Sequence, residues 1–182
     1  MVFTPKYLLR SIIIKLKNGN SVKMPIKIRF GKNTDVSCKR AELKIGKYFF
    51  ARENVHVEVT KGGILNIGEN VRINRNGIIV CRKEITIGDR CIFGPNVCIY
   101  DHDHSIDSHG LKAGFTLGNI VIEENCWIGA GCIILKNTHI GEGSVIGAGC
   151  VVKGDIPAHS LVTMNRDLQI RALEERSHGE KN

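Results

Sequence analysis

IEENCWIGAGCIILKNTHIGEGSVIGAGCVV, residues 122–152, returns an aliphatic side chain at every sixth position: Ile122, Ile128, Ile134, Ile140, Ile146 and Val152. The fifth position of each hexad is small in turn, at Cys126, Cys132, Thr138, Ser144 and Cys150. A period of six with two inward positions does not fit 3.6 residues per turn, so an amphipathic helix is excluded. Short strands wound around a polygonal coil fit both registers, with three hexads closing one triangular turn. The same register recurs upstream in IGDRCI (87–92) and FGPNVC (93–98), and more weakly in IGENVR (67–72) and IGKYFF (45–50). The reading is an all-β chain, a parallel β-helix in which each coil is stable by stacking on its neighbours.

With 182 residues, 42% of them apolar, and one continuing repeat, the chain reads as a single hexapeptide-repeat domain over 1–182. The aromatic share of 5% suits a narrow interior filled by Ile, Val, Cys, Ala and Thr, with no room expected for bulky rings. Seven cysteines invite a disulfide or metal reading, but Cys91, Cys126, Cys132 and Cys150 all occupy the small fifth position, where a free thiol packs as a small hydrophobe. An odd count without zinc-ligand spacing or a secretory signal points to a reducing, cytoplasmic setting and to no metal.

Basic residues concentrate before Lys83, and the formal charge is +8. Nucleic acid is not the expected partner, because neither aromatic–basic interleaving nor a helix-turn-helix or finger pattern accompanies the charge. A basic face that attracts phosphorylated cofactors or acidic glycans accounts for it. The opening MVFTPKYLLRSIIIKLK is too short and too charged to cross a bilayer. It reads as a short amphipathic helix or first strand covering the end of the solenoid, with contact to a membrane surface as the alternative. Residues 167–176, DLQIRALEER, read as a short C-terminal helix within about 165–176.

The hexad register fails after Ile99 and resumes at Ile122, so an inserted loop is expected over about 100–120. Solenoids carry function on such insertions, because the coils give rigid support and the loop gives reach. Asp101, His102, Asp103 and His104 open it, and His102 follows a strand directly, which holds it at the coil edge. Trp127, the single tryptophan, falls at an outward hexad position, where it is either partner packing or a ligand platform.

DHDH (101–104), IVIEENCWIG (120–129), VIGAG (145–149) and DIP (155–157), in that order, give the chain its resemblance to a known family. It resembles the left-handed β-helix hexapeptide-repeat acyltransferases, and among them the maltose, galactoside and capsular polysaccharide O-acetyltransferases. The resemblance implies a left-handed coil and a homotrimer with sites in clefts between solenoids. It implies transfer of an acetyl group from acetyl-CoA to a hydroxyl of a carbohydrate acceptor, a sugar or surface-polysaccharide precursor. It places the general base on His102 and an active-site asparagine on Asn74. It sets Trp127 beside the pantetheine arm and the backbone amides of Ala130 and Ala148 at the thioester. Lys153 and Arg166 are the basic residues named for the CoA phosphates.

The chemistry agrees: imidazole, with an unperturbed pKa near 6.5, can take a hydroxyl proton at neutral pH and hand it on, so direct attack needs no acyl-enzyme. Asp101, Asp103 or a backbone carbonyl could orient the ring. Where sugar acetyltransferases carry an acidic residue in the preceding coil, this chain has Arg82, which favours an acidic or phosphate-linked acceptor or else pairs with Glu84 or a neighbouring subunit. The competing readings are a xenobiotic acetyltransferase, a non-catalytic β-helix scaffold, and a γ-type carbonic anhydrase binding zinc through His104, His109 and His56.

Overall fold

In a computed structural model, described here for residues 5–26 and 28–164, the chain winds into a three-faced β-solenoid. The strands of the first face include Ile78–Cys81 and Cys98–Tyr100, and those of the second Glu84–Ile87 and Ile120–Ile122. Together these two faces form one 11-stranded sheet, because Ile133–Ile140 runs across the corner between them. The third face is a 7-stranded sheet of two-residue strands from Arg29–Phe30 through Ile92–Phe93, Trp127–Ile128 and Val145–Ile146 to Leu161–Val162. All pairing within these sheets is parallel, one coil on the next.

Both registers of the repeat point inward. Ile122, Ile128, Ile134, Ile140, Ile146 and Val152 are buried, and so are Cys126, Cys132, Thr138, Ser144 and Cys150. The buried hydroxyls are satisfied by carbonyls of the coil above, Thr138 Oγ1 by Val152 and Ser144 Oγ by Pro157. All seven cysteines are free thiols. The interior is wider than composition suggested: Phe30, Phe49 and Phe93 are fully buried. Phe30 lies in register with Ala51, whose methyl group leaves space for a ring in the coil below.

Corners between faces need left-handed backbone, and the sequence supplies it mostly with asparagine. At the corner between the third and first faces, Asn33, Asn54, Asn76 and Asn96 all have φ between 56° and 59°. Their amides form a ladder, each Nδ2 donating to the Oδ1 one coil up at 3.0–3.2 Å. Above Asn96 the position passes to Gly131 and Gly149, and the ladder ends.

The helix Pro5–Asn18 closes the first coil. Ser11 Oγ donates to the Ile28 carbonyl, while Asn18 donates to the Val36 carbonyl and accepts from the Cys38 amide. The helix thus supplies partners that a lower coil would otherwise give, which protects an exposed sheet edge. The helix expected near the C-terminus, over about 165–176, lies outside the described residues.

Candidate active site

The insertion is a β-hairpin rather than a loop: His102–Asp107 pairs antiparallel with Gly110–Leu117. Ser108 and His109 make the two-residue turn, with Gly110 at φ 104° and the Asp107 carboxylate accepting the His109 amide. Sequence periodicity missed these strands because most of their side chains are exposed on both faces, so no apolar alternation marks them. The hairpin leaves the solenoid at the corner between the first and second faces. Lys136 in the coil above fastens both of its strands, reaching Asp103 Oδ2 at 2.9 Å and Thr116 Oγ1. That bond, with the charge of Lys136 and of Lys153, holds the Asp103 carboxyl below the usual carboxylate range.

Beneath the hairpin stands an oriented imidazole. His102 Nδ1 lies 3.1 Å from Asp101 Oδ1, with the histidine side chain 13% exposed and the aspartate fully buried. The Arg82 amide donates to both Asp101 oxygens at 2.9 Å, and the Lys83 amide donates to Oδ2 at 2.7 Å. Two backbone N–H groups and a ring N–H therefore saturate a carboxylate that would be prohibitively costly to bury alone. A carboxylate so held can only accept, so the His102 proton sits on Nδ1 and the Nε2 lone pair is the basic one. Of the orienting groups open from sequence, the geometry selects Asp101, since Asp103 is engaged by Lys136.

Aromatic side chains fix the ring further. Tyr100 meets His102 edge-on at 6.2 Å and Phe115 does so at 5.4 Å. Burial, together with the neighbouring Cys98, pushes the Tyr100 phenol up to about 12, so it is neutral at physiological pH. His104 packs its ring on Phe115 at 4.8 Å from the exposed strand, and His109 is at the hairpin turn. Phe115 and Lys136 are site residues that motif reading missed. The available signal was a lone Phe in a polar insertion and a Lys breaking the hexad that follows.

The other expected residues divide between corners. Lys153 lies on the His102 side, close enough for its charge to act on Asp103. Asn74 occupies the opposite edge of the first face, at the asparagine-ladder corner, where its Oδ1 accepts the Arg75 amide. Ala130 and Ala148 are higher on that same corner, in the coils where glycine has replaced asparagine. Neither of their amides donates a hydrogen bond among the described residues, so two stacked N–H groups are left without a protein partner there. Gly94 and Gly129 make this stacking possible: a Cβ on either would come within 2.6 Å of the Ala130 or Ala148 nitrogen, respectively. Trp127 is 55% exposed on the third face, in register between Ile92 and Val145. Arg166 lies outside the described residues.

Arg82 pairs with no acid among the described residues. Its guanidinium lies 3.9 Å above the Phe115 ring, and its buried Nε has no hydrogen-bond partner there. Glu84 is engaged instead by Asn119. The three histidines considered for zinc are dispersed, with His56 between Asp35 and Glu58 on the first face. Among the described residues no group of three metal-ligating side chains converges.

The profile of the family described as bacterial transferase hexapeptide (six repeats) matches residues 119–154. A protein of Schizosaccharomyces pombe named provisionally as an acetyltransferase is 36% identical over 143 residues, covering 75% of this chain and 69% of its own length. This chain belongs to the hexapeptide-repeat acetyltransferases. Another such acetyltransferase, the galactoside O-acetyltransferase of Lactococcus lactis, is 39% identical over 97 residues, which span 53% of this chain and 47% of that protein. A solved galactoside acetyltransferase in complex with coenzyme A superposes with a TM-score of 0.51 at 26% identity, covering 86% of this chain and 76% of that one. Membership of the acetyltransferases sets aside both the scaffold reading and the carbonic anhydrase reading.

Proposed function

We propose that this acetyltransferase moves an acetyl group from acetyl-CoA to a hydroxyl of a sugar or surface-polysaccharide precursor, with His102 as general base. The observation that carries this reading is the His102–Asp101 pair: a fixed ring whose Nδ1 proton is committed to a buried carboxylate and whose Nε2 is left to act. Nε2 takes the acceptor's hydroxyl proton as its oxygen bonds to the acetyl carbon, then returns a proton to the departing thiolate, so charge and atoms balance without an acyl-enzyme. Acetyl-CoA, when bound, supplies the acetyl thioester. The amides of Ala130 and Ala148, which donate to no partner among the described residues, suit its thioester end, since such N–H groups in a fixed backbone stabilise developing oxyanion charge, by about 3 kcal/mol at comparable sites. Trp127 offers an exposed ring for the pantetheine arm.

These groups lie on two different corners, as does Asn74 relative to His102. The reading therefore includes a homotrimer in which one chain's His102 corner faces the next chain's Ala130–Ala148 corner. Arg82 refines the acceptor: its charge, with no acidic partner among the described residues, lies over Phe115, the ring that packs on His102, and favours a carboxylate- or phosphate-bearing glycan over a neutral sugar. An acceptor screen following release of the CoA thiol, with acidic and neutral glycans in parallel, tests the reading. Turnover with at least one glycan, lowered roughly 10²- to 10⁴-fold in His102→Ala, is expected. A monomer in sedimentation, or no shift in Tm at CoA concentrations far above a plausible Kd, would overturn the shared-site reading.

A further inference from the structure

We infer that the helix Pro5–Asn18 is a docking surface for an anionic lipid bilayer, lying flat on it and holding the enzyme there by its outward face. This goes beyond the acetyltransferase reading and does not depend on it. The inward face of the helix, with buried Ser11 and Ile14, closes the first coil as described. At 100° per residue the opposite face carries Leu9, Ile12, Ile13 and Leu16, an i, i+3, i+4, i+7 stripe. These side chains are 60%, 42%, 53% and 79% exposed, so four large aliphatics form a continuous water-facing band on a helix already anchored by its other side. Capping the solenoid needs only the inner face, and polar residues would serve on the outer one.

Charge identifies the occupant. Lys6 and Lys17 border the stripe on one side and Lys15 on the other, and the helix contains no Asp or Glu. Lys17 is paired with Asp35, whereas Lys6 and Lys15 make no ion pair among the described residues. The wider end of the molecule is equally one-sided. The first 50 residues hold twelve Lys and Arg against two Asp and Glu, whereas the chain as a whole holds 26 against 18, so the remainder is slightly acidic. A second copy of this helix face would bring basic rims together with no acid to pair them. An anionic bilayer complements both features, taking the aliphatic stripe into the acyl boundary while the lysine stems extend to the headgroups. Ile26, 57% exposed, and Tyr48, 66% exposed, flank Lys47 at the same end of the solenoid and add apolar contacts of the interfacial kind. The helix lies on the surface rather than crossing it, since no helix among the described residues is long and apolar enough to span.

The test is co-sedimentation of the full chain with vesicles of phosphatidylcholine alone and of phosphatidylcholine mixed with phosphatidylglycerol, at low and high sodium chloride. Binding is expected to the anionic vesicles only, weakening as salt rises. The surface variant Leu9→Gln/Leu16→Gln should bind roughly tenfold or more weakly, and Lys6→Gln/Lys15→Gln should lose the preference for anionic lipid. Tm and oligomeric mass should be unchanged in both, because these side chains face solvent. Failure of the wild-type chain to pellet with anionic vesicles at low salt would overturn the inference. So would undiminished binding by the leucine variant, or a loss of oligomeric mass in that variant, which would assign the stripe to a second copy. Acetyl transfer to a soluble acceptor should be the same in all these variants, which separates failure of this inference from failure of the catalytic reading.

Discussion

Asp101→Asn isolates the role of the carboxylate, because the substitution preserves shape and forces a choice of hydrogen bonds. If the new amide nitrogen takes the Oδ2 position, it meets the Lys83 N–H at 2.7 Å and the Arg82 N–H at 2.9 Å, two donor–donor contacts in a buried site. If it takes the Oδ1 position, its oxygen at Oδ2 still accepts from both backbone amides, the nitrogen can donate to His102 Nδ1 across 3.1 Å, and the one donor–donor contact is with an Arg82 N–H that keeps its other acceptor. The second arrangement wins, since an unmade buried hydrogen bond costs about 1–3 kcal/mol and the first arrangement leaves the Lys83 amide without an acceptor, Arg82 keeping the oxygen at Oδ1. It requires the imidazole proton to move to Nε2, so the ring presents a donor where a base is needed. Turnover should fall by roughly 10²- to 10⁴-fold, the range for losing general-base catalysis. Folding should lose only about 1 kcal/mol, a fall in Tm of about 2–4 °C for a chain of this size. Nitrogen-15 spectra of histidine-labelled protein read the tautomer directly and need no acceptor. An Asp101→Asn protein that keeps its His102 proton on Nδ1 and turns over near the wild-type rate would refute the reasoning.

His102→Ala should lower turnover by roughly 10²- to 10⁴-fold with CoA affinity intact, whereas His104→Ala should change mainly the acceptor's KM, because His104 packs on Phe115 outside the Asp101 pair; steady-state kinetics rank the two. Lys136→Met should free the hairpin, raising proteolysis or hydrogen exchange across residues 102–117. The sign with pH follows from Asp103: its folded value is lowered by Lys136, so the attachment is complete above the ordinary carboxylate range and is lost as pH falls through the depressed value. Hairpin protection in the wild type should therefore decline only in acid, and the Lys136→Met profile should be flat there. Gly129→Ala would put a Cβ 2.6 Å from the Ala148 nitrogen, so backbone must shift at the corner proposed for the thioester. A loss of about 1–3 kcal/mol in denaturant titration, with weakened CoA binding, is expected.

The coils were legible because one side chain in six must fill each face of the core and one in six must fit a corner, and a period of six admits no other regular structure. The same logic underestimated the interior: Phe30 and Phe93 occupy positions where the repeat otherwise shows aliphatics, and single-residue pattern cannot see that a ring in one coil is offset by Ala51 in the next. His102 was legible as the first histidine after a strand. Its partner was not, because Asp101 and Asp103 both flank it in sequence, and only the turn at Arg82 and Lys83, some twenty residues away, distinguishes them. Arg82 shows the same limit. Sequence offered Glu84 as its partner, while the fold places it over Phe115, a residue the hairpin brings back to its own base.

The break in the repeat and the oriented imidazole it carries arise from one structural requirement. In the regular coils below, the amide just past each first-face strand donates to a backbone carbonyl of the coil above, as Lys39 does to Val59 and Thr60 to Cys81. Continued one coil higher, that pattern would send the Arg82 amide to the Asp101 carbonyl. The hairpin departs at that residue, and the Asp101 carbonyl instead accepts from Gly118 where the chain returns. The Arg82 amide is thereby left with no backbone acceptor, and the Asp101 side chain turns inward to supply one, taking the Lys83 amide as well. A carboxylate held in that position has its remaining valence directed at the next residue, which is His102. The Asp-His order at the start of the insertion thus satisfies the interrupted ladder and orients the imidazole together. This is why Asp101→Asn, which keeps the first role and inverts the second, separates structure from catalysis at this site.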